Sequence, residues 1–310
     1  MPLTGDHRRV AAIELGGTKC IAAIAQGREI LTRERWPTRA PDDTLPPILD
    51  WIAEAAGGEP LAAIGIAGFG PLVVDPAQPE YGRIGSTPKP HWTGFDLRGT
   101  VAARFGVPIG FDTDVAGAAL AEGRWGASRG CGTHVYVTIG TGVGAGIVVN
   151  GKPLHGAAHP EVGHIRVRRD HGDTFPGACP FHGDCLEGLV SGPAIAQRAG
   201  KPAEHLSPDD PVWGRVADEI AELVMTLVLT VPPQRIVIGG GVGGATGDLL
   251  DKVRTAATAR LASYGPGSDA AAIAQLVVPP GLGADAGPLG AVALALDAAT
   301  DHAGEAIPSS

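Results

Sequence analysis

The chain reads as an α/β protein built from two related halves. Three observations predict this. Apolar runs of strand length alternate with segments of helical spacing along the whole sequence, the pattern of sheets covered by helices. Three strand-like runs end in glycine-rich turns, Gly16-Gly17-Thr18, Gly140-Thr141-Gly142 and Gly239-Gly240-Gly241. The first two turns lie in similar strand–glycine–strand units, from which an internal repeat is inferred.

Taken in order, Val10 to Leu15 predicts a buried strand and Cys20 to Ala25 its return. Ile30-Leu31-Thr32 follows after Gly27-Arg28, completing a meander of hairpins. Leu45 to Ala56 has helical spacing, with Pro46 and Pro47 acceptable only in a first turn, where backbone N–H groups have no partner to lose. Leu61 to Ala67 predicts a strand ending in Gly68-Phe69-Gly70-Pro71. A loop-rich stretch from Asp75 to Gly94 carries Gly85-Ser86-Thr87-Pro88-Lys89-Pro90. A helix over Leu97 to Phe105 and a short strand over Pro108 to Phe111 deliver Asp112-Thr113-Asp114, and the Ala-rich segment Val115 to Trp125 predicts a helix.

The pattern then restarts. Thr133 to Ile139 and Ala145 to Val149 predict a second strand pair around the glycine turn. Val212 to Val231 predicts a helix with Val212, Val216, Ile220, Leu223 and Leu227 on one face. A strand (Arg235 to Ile238), a helix (Leu249 to Leu261), a strand (Leu276 to Val278) and a last helix (Pro288 to Ala299) complete the chain. The boundary is set near Val115. A smaller lobe takes residues 1–115, with the C-terminal helix of about 287–310 able to return to it; a larger lobe takes 116–286.

Bulk properties exclude several classes. At 310 residues the chain suits two domains, and folding at this size buries about 75% of the unfolded surface, so the core needs no crosslinks. A net charge of −9 argues against a general nucleic-acid binder. No apolar run reaches 18 residues, so no membrane span is expected. Only four apolar residues separate Arg8-Arg9 from Glu14, too few for a signal-peptide core, and a cytoplasmic location follows. The 47 glycines and 27 prolines fall between apolar runs, which reads as tight turns rather than disorder.

The stretch from His159 to Gly188 carries the strongest chemical signal. His164, Cys179, His182 and Cys185 form H-x14-C-x2-H-x2-C, a ligand set suited to a tetrahedral structural zinc. Pro180 and Gly183 make Cys179 to Cys185 a tight knuckle, and the metal would close a loop back to His164. That clip, spanning 159–187, would hold the carboxylates of Glu161 and Glu187 beside an imidazole edge. The rival readings are a solvated loop and a Cys179–Cys185 disulfide, the latter disfavoured in a reducing compartment. His159 and His171 are spare ligands; His7, His205 and His302 read as solvated, His134 as a core or edge residue, and Cys20 and Cys131 as packing residues.

Glycine turns at strand ends let backbone N–H groups approach phosphate oxygens, and threonine hydroxyls add donors. No G-x-x-x-x-G-K-[ST] occurs, which excludes a P-loop. Gly239, Gly241 and Gly244 match G-x-G-x-x-G, but the following strand lacks the acid that a dinucleotide ribose requires, so this turn reads as an adenosine-side loop.

Glu14-Leu15-Gly16-Gly17-Thr18-Lys19, Gly140-Thr141-Gly142-Val143-Gly144, Glu161-x-x-His164 and the zinc knuckle together resemble the ROK family of bacterial sugar kinases, from Val10 to about Ala299. Ser86-Thr87-Pro88-Lys89, Phe111-Asp112-Thr113-Asp114-Val115, Cys179-Pro180-Phe181-His182-Gly183-Asp184-Cys185-Leu186-Glu187 and Ser191-Gly192-Pro193 resemble its zinc-containing fructokinase branch. The resemblance implies a two-lobed actin-like ATPase fold, a duplicated ribonuclease-H-like unit, with a cleft that closes over sugar and nucleotide. It implies Asp114 as general base, with helix capping by Asp112 or Asp114 as the structural alternative. Glu161, His164 and Glu187 match the family's sugar-hydroxyl ligands. Gly70 joins them on the sugar side, as does Thr113, which stands where many members carry Asn. Gly16, Gly17, Thr18 and Lys19 resemble the first phosphate loop and Thr141 with Gly142 the second, with Gly240 and Gly241 completing the nucleotide site. Glu14 stands where many members carry an Asp, near Mg²⁺.

The implied activity is transfer from ATP with Mg²⁺ to a hexose, fructose foremost, with mannose, glucose and N-acetylmannosamine as alternatives. The implied assembly is a homodimer. The family's repressors carry an N-terminal helix-turn-helix, for which the nine residues before Val10 leave no room. A non-catalytic sugar-binding regulator is opposed by Asp114 together with both threonine-bearing turns.

Overall fold

The computed structural model describes residues 6–244, 248–265 and 267–305. The elements are β1 (Arg9–Leu15), β2 (Lys19–Gln26), β3 (Glu29–Pro37), α1 (Pro41–Ala56), β4 (Ile64–Gly68), α2 (Leu97–Phe105), β5 (Ile109–Thr113) and α3 (Asp114–Trp125). They continue as β6 (Thr133–Ile139), β7 (Val143–Val149), β8 (Lys152–Pro153), α4 (Leu186–Val190), α5 (Gly192–Ala199), α6 (Val212–Thr230) and β9 (Arg235–Gly239). The last are α7 (Gly240–Gly243), α8 (Leu249–Leu261), α9 (Ala270–Leu276), β10 (Val277–Val278) and α10 (Ala286–Glu305).

They form two units. One comprises Met1–Ala121, Pro153–His159 and Ala284–Ser310; the other comprises Glu122–Lys152 and Pro160–Gly283. The chain therefore passes between units inside α3, later than Val115, because α3 is a continuous helix with no break at its first turn. Pro153–His159, expected with the larger lobe, belongs to the first unit. Two histidines pin it there: His159 Nε2 accepts from the Leu72 N–H at 2.9 Å, and His155 Nε2 meets Asp112 at 3.1 Å. Residues 306–310 of the expected last helix lie outside the described residues.

In the first unit the sheet order is β3-β2-β1-β4-β5, with β1–β2 and β2–β3 antiparallel and β1–β4 and β4–β5 parallel. The central strands are buried on both faces, which explains their unbroken apolar runs. α10 lies so close to β4 that a Cβ on Gly65 would stand 1.8 Å from the Ala291 carbonyl oxygen. Only glycine allows that backbone approach.

α1 corrects one expectation. It starts at Pro41, so Pro46 and Pro47 lie inside it rather than in its first turn. The bonds they forgo are those to the Asp42 and Asp43 carbonyls, on exposed residues, and the buried face of Leu45, Ile48, Leu49 and Ile52 holds the helix regardless.

The second unit repeats the order as β8-β7-β6-β9-β10, again with an antiparallel hairpin followed by parallel neighbours. Its core centres on Trp213, Val216, Ile220 and Val224 of α6 against the sheet and α8. Glu122, fully buried, accepts from the backbone N–H groups of Ala127 at 2.6 Å, Gly281 at 3.1 Å and Leu282 at 3.0 Å. Three amide donors replace the water that a buried carboxylate loses. α9 replaces part of the strand expected from Leu276, because Asp269 caps Ala272 N at 2.9 Å and starts a helix there. The short α4, α5 and α7 carry too few turns for a periodicity to register.

Candidate functional site

In the second unit the His164, Cys179, His182 and Cys185 ligand atoms all lie within 4.8 Å of one another. His164 ends a single helical turn, Val162–His164, in which its N–H donates to the Glu161 carbonyl at 3.0 Å. The knuckle closes by paired backbone bonds, Cys179 N to Gly183 O at 3.1 Å and Gly183 N to Cys179 O at 3.0 Å. Leu186 N donates to Ile165 O at 2.9 Å, which ties the knuckle's exit to the residue after His164.

The spacing fits a metal. His164 Nδ1 lies 3.7 Å from Cys179 Sγ and 3.5 Å from Cys185 Sγ, and Cys179 Sγ lies 3.9 Å from His182 Nδ1. A tetrahedral ion with bonds of about 2.3 Å to sulfur and about 2.0 Å to nitrogen sets sulfur–nitrogen edges near ~3.5 Å. Cys185 is fully buried, and burial, with the neighbouring Cys179 adding to it, pushes its thiol up to about 11. A bound cation reverses that preference and holds both sulfurs as thiolates. All four cysteines are free thiols, so the Cys179–Cys185 disulfide is not formed. His159 and His171 stand outside the group: the first is buried against Leu72 N, the second exposed.

Two glycine turns lie in the same unit, and the first is tied to the knuckle's exit. Gly140 N donates to Gly142 O at 2.9 Å, and Gly192 N donates to Gly140 O at 2.7 Å. Glu187, in the first turn of α4, accepts from Val143 N at 3.1 Å, so the helix that leaves the metal knuckle braces the turn bearing Thr141. A Cβ on Gly142 would stand 2.7 Å from that Glu187 oxygen. Gly240 and Gly241 are not a free loop: they open α7, and Gly240 has φ +86°. Thr141, Gly240 and Gly241 are exposed, while Glu161 is exposed beside the single turn.

In the first unit the turn Gly16 to Lys19 closes through Gly16 N to Lys19 O at 3.0 Å, and Thr38 Oγ1 donates to Gly16 O at 2.7 Å. Thr18 and Lys19 are exposed. Glu14 precedes this turn; burial raises its pKa, and its buried Oε2 has no hydrogen-bond partner among the described residues. Gly70, half-buried, precedes Pro71 across a cis peptide.

At the C-terminal end of β5 the capping role falls to Thr113. Its buried hydroxyl accepts from Ala116 N at 3.2 Å. Asp114 opens α3, half-exposed, with Oδ1 accepting from Val115 N at 2.8 Å. Asp112 is buried and turned to His155, whose pKa it raises through their hydrogen bond. Sequence reasoning passed over His155, because Leu154-His155-Gly156 carries no pattern and only the fold brings it to β5.

The chain matches the ROK family over residues 10–298. It is 43% identical over 302 residues to a fructokinase of Zymomonas mobilis, covering 96% of this chain and 99% of that protein. It is 38% identical over 287 residues to a fructokinase of Pediococcus pentosaceus, covering 92% and 97% respectively. Among solved structures, the ROK hexokinase from Thermus thermophilus superposes with a TM-score of 0.77 at 26% identity, covering 94% of this chain and 99% of that one.

Proposed function

The chain belongs to the ROK family, and from that premise we propose that it is an ATP-dependent fructokinase, converting D-fructose and ATP to D-fructose 6-phosphate and ADP. The observation that carries this reading is end-to-end similarity to curated relatives named fructokinase, and a His/Cys group that could hold a metal ion agrees with it.

Asp114 is the general base. What supports it is that Thr113 already caps α3, leaving the Asp114 carboxylate half-exposed to accept the proton of the attacking sugar hydroxyl. Glu161, His164 and Glu187 are the sugar-hydroxyl ligands. His164 turns Nδ1 to the cysteine sulfurs, which leaves Nε2 for a hydroxyl or a further partner. Gly70 and Thr113 complete the sugar side, Thr113 mainly by fixing the helix start. Gly16, Gly17, Thr18, Lys19, Thr141, Gly142, Gly240 and Gly241 hold the nucleotide.

The metal of the knuckle is zinc, chosen by two thiolates and two imidazoles; its role is to fix the loop bearing Glu161 and Glu187. Mg²⁺ comes with ATP and offsets phosphate charge, and the orphaned Glu14 oxygen is the group this chain offers it, directly or through water. The protein works in the cytoplasm, where ATP is available and free thiols persist, and as a homodimer.

A coupled ATP-consumption assay across fructose, mannose, glucose and N-acetylmannosamine tests the substrate. Fructose should give a kcat/KM about tenfold or more above the others. Equal or better turnover of another hexose would remove fructose as the substrate.

A further inference from the structure

The first glycine turn carries a cation that the mechanism above does not use. Lys89 is half-buried, yet no carboxylate pairs with its ammonium among the described residues. The ammonium donates to the Gly17 carbonyl and stands over the Phe69 ring, 5.2 Å from its centroid. A Cβ on Gly17 would lie 3.1 Å from Nζ, so a glycine keeps the approach open. The Arg39 guanidinium also has no partner among the described residues. Lys89 and Arg39, with Gly17, Thr38 and Trp92, line a cavity of about 240 Å³ that no acidic residue borders.

Desolvating an ammonium without a counter-charge is unfavourable, and burial accordingly holds the Lys89 pKa below the usual lysine value. An arrangement of two cations and no anion, at a turn built to approach phosphate oxygens, is completed by an anionic ligand. We propose that this cavity is a phosphate subsite, in which Lys89, assisted by Arg39, contacts the non-bridging oxygens of the phosphoryl group in transfer. The proposal rests on the kinase reading. In the step, the sugar hydroxyl oxygen bonds to the γ-phosphorus and the bond from that phosphorus to the β–γ bridging oxygen breaks. The electron pair leaves with ADP, and the hydroxyl proton passes to Asp114. Charge on the equatorial oxygens is what a fixed ammonium stabilises.

Two measurements test it. Lys89→Met should lower kcat about 10²–10³-fold, while fructose affinity without nucleotide and the melting temperature hold, and Lys89→Arg should recover about tenfold of the loss. In the wild type, inorganic phosphate or tripolyphosphate should slow acylation of Lys89, read by peptide mass spectrometry, with Lys201 and Lys252 unaffected. Failure of the kinase reading alone would appear as no turnover of any sugar with Lys89 still protected. An active kinase in which Lys89→Met keeps kcat within about threefold, or in which no anion protects Lys89, overturns the subsite. Equal loss of melting temperature, sugar affinity and kcat in Lys89→Met would assign Lys89 to folding and overturn it as well.

Discussion

Thr113 takes the capping role that sequence alone offered to Asp112 or Asp114, and the base role is proposed for Asp114. An aspartate before an Ala-rich helix reads equally as a cap or a base, and Asp112-Thr113-Asp114 offers three oxygen-bearing side chains. The backbone separates them: Thr113 takes the cap, Asp112 turns to His155, and Asp114 remains half-exposed. Asp114→Asn should therefore reduce kcat by about 10²–10⁴ with little change in fructose affinity by calorimetry. Near-normal turnover would remove Asp114 from proton transfer. The glycine turns at strand ends were legible because their chemistry is local. His155, Glu122 and the setting of Lys89 were not, because each depends on neighbours distant in sequence that only tertiary packing supplies.

At the scale of elements, the Cys/His cluster was the most legible feature: the four side chains singled out in the sequence come together in the fold as a group that could hold a metal ion. The helix that follows it was missed, and it is the helix that matters for the turn at Thr141. Cys185 precedes α4, and Glu187 in that helix holds Val143 N. Stripping the metal should thus disturb more than the knuckle. Elemental analysis should find about one zinc per chain, and a chelator or Cys185→Ala should lower both metal content and kcat/KM for fructose. Metal loss with full activity would separate the centre from the sugar site. The prolines of α1 teach the opposite lesson: a local rule yields when a buried apolar face spans four turns.

Over the whole molecule, the two sheets share one strand order, which the repeated strand–glycine–strand units announced. Strand alternation revealed the class, but not that Pro153–His159 would leave its sequence neighbours, because histidine pairings such as those at Asp112 and Leu72 have no periodicity. No described helix is long and apolar enough to cross a membrane. Sedimentation should give about twice the 31.4 kDa chain mass if the homodimer proposal holds; a single-chain mass at micromolar concentration would discard it.

The matched sheets also differ in what they carry between the hairpin and the next parallel strand. In the first, the return from β3 to β4 is a single helix, α1; in the second, the span from β8 to β9 holds the candidate metal ligands, α4, α5 and α6. One half keeps a short connection where the other carries a long one. New sugar preferences are then most readily sought in the exposed residues of the stretch before α4, since the buried face of α6 is core to the second unit.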